Sequence, residues 1–201
     1  MKDKKLQIGF LASGNGSSAQ AIVQAIRSGE LSADARLLVG NRRETPAFEW
    51  ADRLGTPRLC IPTAGDPDTA DARLCDALEA HGVELVVLSG YLRRLGPRTL
   101  RRYAGRILNI HPGPLPEFGG EGMYGMNVHR AVIAAGVAES AAVIHAVDAI
   151  YDHGPEIARR AVPIFPGDTA EALEARVKAL EPVFFLEILK GVGDGTVRLP
   201  K

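Results

Sequence analysis

Two polar side chains lie where a buried strand is predicted to end. Residues 109–112 read NIHP and follow the apolar pair at 107–108. Side chains two apart in a strand share a face, so the Asn109 amide and the His111 imidazole point the same way. An amide can donate a hydrogen bond to a developing oxyanion, and an imidazole can donate or exchange a proton. A core histidine bonded to backbone is the ordinary alternative, but the pair indicates a catalytic site.

A second candidate is the loop SGNGSS at residues 13–18, between a predicted strand and a predicted helix. Glycines allow a tight turn there, and free N–H groups together with the helix dipole favour an anion. The loop is therefore predicted to bind phosphate, although a purely structural strand–helix turn is the simpler alternative. The residues in question are Gly14, Asn15, Gly16, Ser17 and Ser18.

The same loop leaves a different class of protein open. Gly14, Gly16 and Ala19 match a loose dinucleotide-binding spacing. The acid expected to bind ribose at the end of the second strand is absent, and Arg42 and Arg43 stand near that position. Arginines there could meet the 2′-phosphate of NADP, so an NADP-binding oxidoreductase is one alternative function.

Other familiar chemistries find little support. The five histidines show no HxH, HxxxH or HExxH spacing, so no metal is expected. No G-x-S-x-G motif and no P-loop lysine occur, which argues against a serine hydrolase and a P-loop nucleotidase. Asp152 precedes His153 and Gly154 in a turn-like stretch, where an aspartate usually forms a local Asx turn.

The elements that would position these residues alternate between strand and helix in the first half. This alternation predicts an α/β fold with a mostly parallel twisted sheet. The predicted strands span residues 7–12, 35–40, 58–61, 85–88 and 106–110. The predicted helices span residues 17–28, 45–54, 69–80 and 97–103.

The second half predicts a mixed arrangement. A helix is expected over 127–135, then strands over 141–147 and 156–164. A long helix is predicted to open at Asp168, with Glu171 as its capping partner, and Pro182 is predicted to kink or interrupt it. We expect one domain, residues 1–201, with a Rossmann-like half over about 6–110 and a second half over about 111–201.

The amino-acid composition limits the kinds of binding partner that are expected. The 201 residues carry 24 lysines plus arginines against 24 acidic residues, so the net charge is zero and a dedicated nucleic-acid binder is not expected. The apolar run after the charged residues 1–5 is too short for a signal peptide or a membrane span. Two cysteines without metal spacing suit a reduced compartment. These features predict a cytoplasmic protein with no membrane partner.

Four stretches together resemble the glycinamide ribonucleotide (phosphoribosylglycinamide) formyltransferase family. They read GFLASGNGSSAQAI, ELVVLSGYLRRL, YAGRILNIHPGPLPEFGG and YDHGPEI, and the resemblance spans about residues 6–190. It implies a single-domain formyltransferase fold and formyl transfer from 10-formyltetrahydrofolate, as cosubstrate, to the amine of 5-phosphoribosylglycinamide in de novo purine biosynthesis. It further implies only small-molecule substrates, no metal, and a monomer or homodimer.

The resemblance also assigns roles to residues. Asn109, His111 and Asp152 match the catalytic triplet, and residues 14–18 match the phosphate loop. Lys178 and Glu181 match positions near the phosphate and the ribose hydroxyls. The positions that match the folate-binding part are Leu92, Arg93, Leu95, Asp148, Ala149, Ile150 and Tyr151.

The chain departs from the family pattern at three places. Gly113-Pro114 replaces a common Ser-Leu, residues 66–68 read DPD where relatives often carry an arginine, and His153 replaces a glycine. The related sugar N-formyltransferases share the Asn-His-Asp core, so an amino sugar nucleotide is an alternative acceptor. A transfer-RNA formyltransferase would need a further nucleic-acid-binding domain and positive charge.

Overall fold

The computed structural model describes residues 5–200, which form one seven-stranded sheet flanked by helices. The strands are β1 Leu6–Ala12, β2 Ala33–Gly40, β3 Arg58–Cys60, β4 Leu85–Leu88, β5 Ile107–His111, β6 Glu139–Ala146 and β7 Glu156–Pro163. The helices are α1 Ser17–Ser28, α2 Ala47–Arg53, α3 Pro67–Ala80, α4 Pro97–Arg102, α5 Met126–Ala134 and α6 Ala170–Asp194.

The strand order is β3-β2-β1-β4-β5-β6-β7. The first five strands run parallel, and their order reverses between β1 and β4, as in a Rossmann sheet. Strands β6 and β7 are antiparallel additions at one edge. The predicted α/β fold, mostly parallel with a mixed second half, is confirmed. In such sheets the crevice beyond the carboxyl ends of the strands is the usual binding site.

Apolar side chains cover both faces of the parallel strands. Phe10, Val87 and Leu108 face a core shared with α1, α5 and α6. Leu11 and Val86 face a second core, which α3 covers. Strands buried on both faces hold their backbone rigidly, which gives the side chains at their ends a fixed frame.

The last helix differs from its prediction at both the cap and the proline. Thr169, not Asp168, is the N-cap, and its side-chain oxygen accepts a hydrogen bond from the Ala172 N–H at 3.2 Å. Asp168 instead pairs with Arg176 at 2.8 Å. Pro182 lies inside a helix of 25 residues and does not interrupt it. A proline costs about 3 kcal/mol in a helix, whereas each large apolar side chain buried beyond it contributes about 1.5–3 kcal/mol. These buried side chains are Phe184, Phe185, Ile188 and Leu189.

The other element ends lie within two residues of their predicted positions. Strand β5 includes His111 because this residue pairs with Val143 of β6, a contact that no local pattern reveals. The charged residues 1–4, used above against a leader peptide, lie outside the described residues, as does Lys201. No helix within residues 5–200 is long and apolar enough to cross a membrane.

Candidate active site

One cavity of about 1010 Å³ lies at the carboxyl ends of β1, β4 and β5, where the strand order reverses. The structure brings every residue proposed for the site to this cavity. Its lining includes Gly14, Asn15, Gly16, Ser17, Ser18, Leu92, Arg93, Leu95, Asn109, His111, Asp148, Ala149, Ile150, Tyr151, Asp152, Lys178 and Glu181. Five separate parts of the chain therefore meet at one place.

Asn109 is held by a histidine on the neighbouring strand. Asn109 and His145 are cross-strand partners in the β5–β6 pair, and the Asn109 Nδ2 lies 3.1 Å from the His145 Nε2. The His145 Nδ1 lies 3.1 Å from the Ala146 carbonyl oxygen, which can only accept, so Nδ1 carries the proton. In the neutral ring Nε2 then accepts from the Asn109 amide. The second amide hydrogen of Asn109 is left for a ligand.

His111 is buried, and both of its ring nitrogens face acceptors. The Nε2 lies 2.7 Å from the Phe118 carbonyl oxygen and therefore donates to it. The Nδ1 lies 3.4 Å from the Asp152 Oδ2. The ring can donate from both nitrogens only as the imidazolium, which would place a positive charge beside the cavity.

Asp152 connects the two histidines. One carboxylate oxygen lies 3.4 Å from His111 and the other lies 3.5 Å from His145, while the Gly120 N–H donates to Oδ2 at 3.1 Å. Burial disfavours the charged carboxylate, but the hydrogen bond and charge of His111 and the hydrogen bond from the Gly120 N–H outweigh it and hold the Asp152 pKa well below its usual range. Asp152 is thus a fixed negative charge at neutral pH.

The turn that carries Asp152 is tightly constrained. Asp152 has a positive φ of 54°, a conformation that asparagine and aspartate tolerate better than most residues. A Cβ at Gly154 would lie 1.9 Å from the Ala146 carbonyl oxygen, so only glycine fits there. His153, between them, is exposed and contacts Asp148 at 2.8 Å. The departure from the family pattern at residue 153 therefore leaves the Asp152 turn intact.

The loop at residues 14–18 has free backbone donors. Gly16, at the N-cap of α1, has a φ of 61°, which suits glycine. The Ala19 N–H donates to the Ser89 Oγ and the Gln20 N–H to the Gly16 carbonyl oxygen. Among the described residues, the N–H groups of Ser17 and Ser18 have no such partner. They line the cavity at a helix N-terminus, where an anion is stabilised.

Two charged residues of α6 line the same end of the cavity. Lys178 is exposed and contacts Glu174 at 2.8 Å. Glu181 is mostly buried, and this burial, opposed in part by Lys178 and reinforced by Glu174, raises its pKa to about 7. Glu181 is therefore partly protonated near neutral pH and can both donate to and accept from a hydroxyl group.

The raised pKa of Glu181 predicts a pH-dependent cost to stability. Below the unfolded pKa of 4.5 the side chain is protonated in both states and costs nothing; between 4.5 and about 7 the stability falls as the pH rises, because the unfolded state ionises while the folded state keeps its proton. We expect Glu181→Gln to raise Tm by roughly 6–12 °C at pH 8.5, for about 3 kcal/mol, and to change it little at pH 4.5. Thermal unfolding at both pH values tests this. An equal Tm for variant and wild type at pH 8.5 would contradict it.

Another part of the cavity lining is more apolar. Leu92 and Ile150 expose 58% and 59% of their surface there, an amount suited to contact with a flat ring system. Arg94 braces the loop at residues 148–151, because it donates to the Ala149 carbonyl oxygen at 2.9 Å and lies over the Tyr151 ring at 5.3 Å. Two ends of different polarity suit two different substrates.

Three cavity residues were not singled out from the sequence. His145 has no metal-binding spacing to the other histidines, but a single polar residue in the apolar run AAVIHAV is a pattern that could have indicated a functional side chain. His129 is 1% exposed, its Nδ1 has no partner among the described residues, and burial lowers its pKa. Arg94 had no local signal. Within residues 5–200 no group of three potential ligands could hold a metal ion.

Comparisons with known proteins identify the family of the chain. The family model described as formyl transferase matches residues 6–189. Phosphoribosylglycinamide formyltransferase of Escherichia coli is 31% identical over 96% of this chain and 90% of its own length. The chloroplastic enzyme of the same name from Vigna unguiculata is 39% identical over 96% of this chain, which spans 62% of that longer protein.

A solved structure gives the same result. Glycinamide ribonucleotide transformylase 1 from Symbiobacterium toebii superposes with a TM-score of 0.88 at 33% identity, over 98% of this chain and 95% of that one. A Rossmann-type sheet with antiparallel edge strands and an amide–imidazole–carboxylate cluster places the chain among the formyl transferases. Within that class, the chain belongs to the phosphoribosylglycinamide formyltransferase family.

Proposed function

We propose that this protein transfers a formyl group from 10-formyltetrahydrofolate to the amine of 5-phosphoribosylglycinamide in purine biosynthesis. The observation that carries the proposal is the single cavity, which joins a helix N-terminus with free N–H groups, a cluster of Asn109, His111 and Asp152, and an apolar end. The phosphate of the acceptor binds at the helix N-terminus, and the ring system of the folate binds at the apolar end. Both halves of the chain line this cavity, so we infer that they act as one domain.

The reaction needs a donor for a transient oxyanion. The acceptor amine attacks the formyl carbon, the carbonyl oxygen becomes negative, and the carbon–N10 bond then breaks as N10 takes a proton and the amine loses one. The free Asn109 N–H can donate to this oxygen, and a charged His111 stabilises it electrostatically. A donor of this kind contributes on the order of 3 kcal/mol in the transition state.

Asp152 serves this step by charge more than by basicity. A general base works best when its pKa lies near the working pH, and the pKa of Asp152 is held far below it. We infer that Asp152 keeps His111 charged and oriented. The proton of the attacking amine passes to water or to N10 of the leaving folate.

A direct assay tests the acceptor and the donor together. The purified protein is mixed with phosphoribosylglycinamide and either 10-formyltetrahydrofolate or its stable analogue 10-formyl-5,8-dideazafolate, and the deformylated folate is followed by absorbance. Parallel reactions replace the acceptor with an amino sugar nucleotide. Turnover only with the sugar nucleotide would favour the sugar N-formyltransferase alternative. Binding of NADPH, with no formyl transfer, would favour an oxidoreductase.

Lys178 provides a prediction about the acceptor phosphate. Lys178→Ala is expected to raise the KM for phosphoribosylglycinamide roughly 10-fold with little change in kcat, because phosphate binding is similar in the ground and transition states. Lys190→Ala is the matched control, since Lys190 lies on the same helix and pairs with Glu30 away from the cavity. Steady-state kinetics with varied acceptor measures both. If the two variants had the same KM, Lys178 would not bind the phosphate.

A further inference from the structure

The segment that follows β2 folds directly against the phosphate loop. The Ala47 N–H donates to the Gly14 carbonyl oxygen at 3.1 Å, and the Trp50 Nε1 donates to the Asn15 carbonyl oxygen at 2.8 Å. The Arg42 Nη2 donates to the Ser13 carbonyl oxygen at 2.5 Å. The end of β2 is therefore part of the wall of the phosphate site.

The backbone of Arg42 is fixed before any ligand binds. Its carbonyl oxygen accepts hydrogen bonds from both the N–H and the side-chain hydroxyl of Thr45, at 3.3 and 2.8 Å. A guanidinium has five N–H donors in a planar fork, and the contact with Ser13 uses one nitrogen. The remaining donors can bind two oxygens of a phosphate side by side.

The neighbouring Asn41 is a second, independent sign of a ligand. Its side chain lines the cavity, yet the residue is only 6% exposed. Its Oδ1 is enclosed and accepts no hydrogen bond from the described residues. A buried amide oxygen without a donor costs free energy, so such an atom usually accepts a hydrogen bond from a bound molecule, for example from a hydroxyl group.

The other cations that line the cavity contact different partners. Lys178 pairs with Glu174, and Arg94 is held by Ala149 and Tyr151 at the apolar end. Arg93 also lines the cavity, next to Leu92 in the chain. Arg42 is the cation whose side chain touches the residue preceding the phosphate loop.

We propose that Arg42 and Asn41 complete the acceptor site, with Arg42 binding its phosphomonoester through a bidentate contact and the Asn41 Oδ1 accepting a hydrogen bond from a hydroxyl group of the same sugar phosphate. This inference rests on the proposed function and deepens it. It makes the end of β2 a determinant of specificity for a phosphorylated acceptor, in addition to the backbone of residues 14–18.

Kinetics with matched variants tests the proposal. Arg42→Ala is expected to raise the KM for phosphoribosylglycinamide about 10–100-fold and to change kcat less than about 3-fold, because a hydrogen-bonded charge contact is lost equally in ground and transition states. Arg43→Ala is the control, since Arg43 is exposed and does not line the cavity. Equal KM values for the two variants would overturn the proposal.

A second pair of variants separates charge from bracing of the loop. Arg42→Lys keeps the charge and loses the fork, whereas Arg42→Gln keeps a donor for the Ser13 carbonyl oxygen without charge. We expect the lysine variant to bind the acceptor more tightly than the glutamine variant. The reverse order would show that Arg42 only braces the loop.

Asn41→Asp is expected to raise the KM for phosphoribosylglycinamide at least 10-fold, because a carboxylate repels the phosphate, and an unchanged KM would remove Asn41 from the site.

Binding of ribose 5-phosphate, measured by calorimetry, keeps this inference distinct from the proposed reaction. The wild type and Arg43→Ala should bind it equally, and Arg42→Ala at least 10-fold more weakly. If this pattern held while the wild type failed to formylate phosphoribosylglycinamide, the reaction would be wrong and the phosphate site would stand. If Arg42→Ala lost affinity for NADPH but not for ribose 5-phosphate, Arg42 would belong to a dinucleotide site and this proposal would be wrong.

Discussion

Replacing His111 by alanine, or Asp152 by asparagine, is expected to lower kcat about 10²–10⁴-fold while the KM values for both substrates change little. The reason is the geometry of the pair. Asp152 lies 3.4 Å from the His111 Nδ1 and stays negatively charged down to low pH. Asp152 therefore keeps the His111 ring charged and oriented, and His111 in turn helps to keep Asp152 ionised. Steady-state kinetics at saturating substrates measures the loss.

The double variant decides whether the two residues act as a unit. If they do, His111→Ala combined with Asp152→Asn should be barely slower than the slower single variant. Losses that multiply in full would show that each acts alone. His153→Ala is the control within the same turn, because His153 is exposed and contacts only Asp148 among these residues; it should keep nearly wild-type kcat.

Asparagine is the informative substitution at position 152 because the backbone there has a positive φ, which asparagine tolerates. Alanine would mix strain with the loss of charge. The ionised Asp152 also stabilises the fold at pH values above the unfolded pKa of 3.8, and this contribution is lost as the pH falls through the lowered folded value. The thermal stability of Asp152→Asn should therefore approach that of the wild type in acid.

The sequence revealed the parts of the site that depend on local patterns. Strand periodicity placed Asn109 and His111 on one face, and two glycines before a helix indicated the anion loop. Asp152 had no such pattern, since an aspartate in a turn is ordinary, and only the family resemblance made it a candidate. Its contacts with His111 and His145 depend on a chain reversal between β6 and β7 that periodicity does not describe.

The differences between the predictions and the structure also come from contacts between residues that are distant in sequence. The sequence favoured Asp168 as a helix cap, but Arg176 binds that carboxylate and Thr169 caps the helix. Pro182 was expected to kink or interrupt the helix, but the helix continues through it, because burial of the side chains beyond it outweighs the lost hydrogen bond. His145 was overlooked because its role follows from the register of β5 against β6.

The register of β5 against β6 places Asn109 opposite His145, and the second large expected effect concerns this pair. Asn109→Ala removes the amide that can donate to the oxyanion, and kcat should fall about 10²–10³-fold, the loss typical of one oxyanion donor. His145→Ala keeps this amide but removes the acceptor that orients it at 3.1 Å, so a smaller loss of about 10–10²-fold is expected.

The combination of these two variants tests whether His145 acts through Asn109. In a protein that already carries Asn109→Ala, the amide is gone, and removing His145 should lower kcat only slightly further. His145 also lies 3.5 Å from the Asp152 Oδ1, so the competing possibility is that it acts by supporting Asp152. In that case His145→Ala would cost as much in the Asn109→Ala background as in the wild type, and would cost little in the Asp152→Asn background. Measuring kcat in the three backgrounds therefore assigns His145 to one partner or the other.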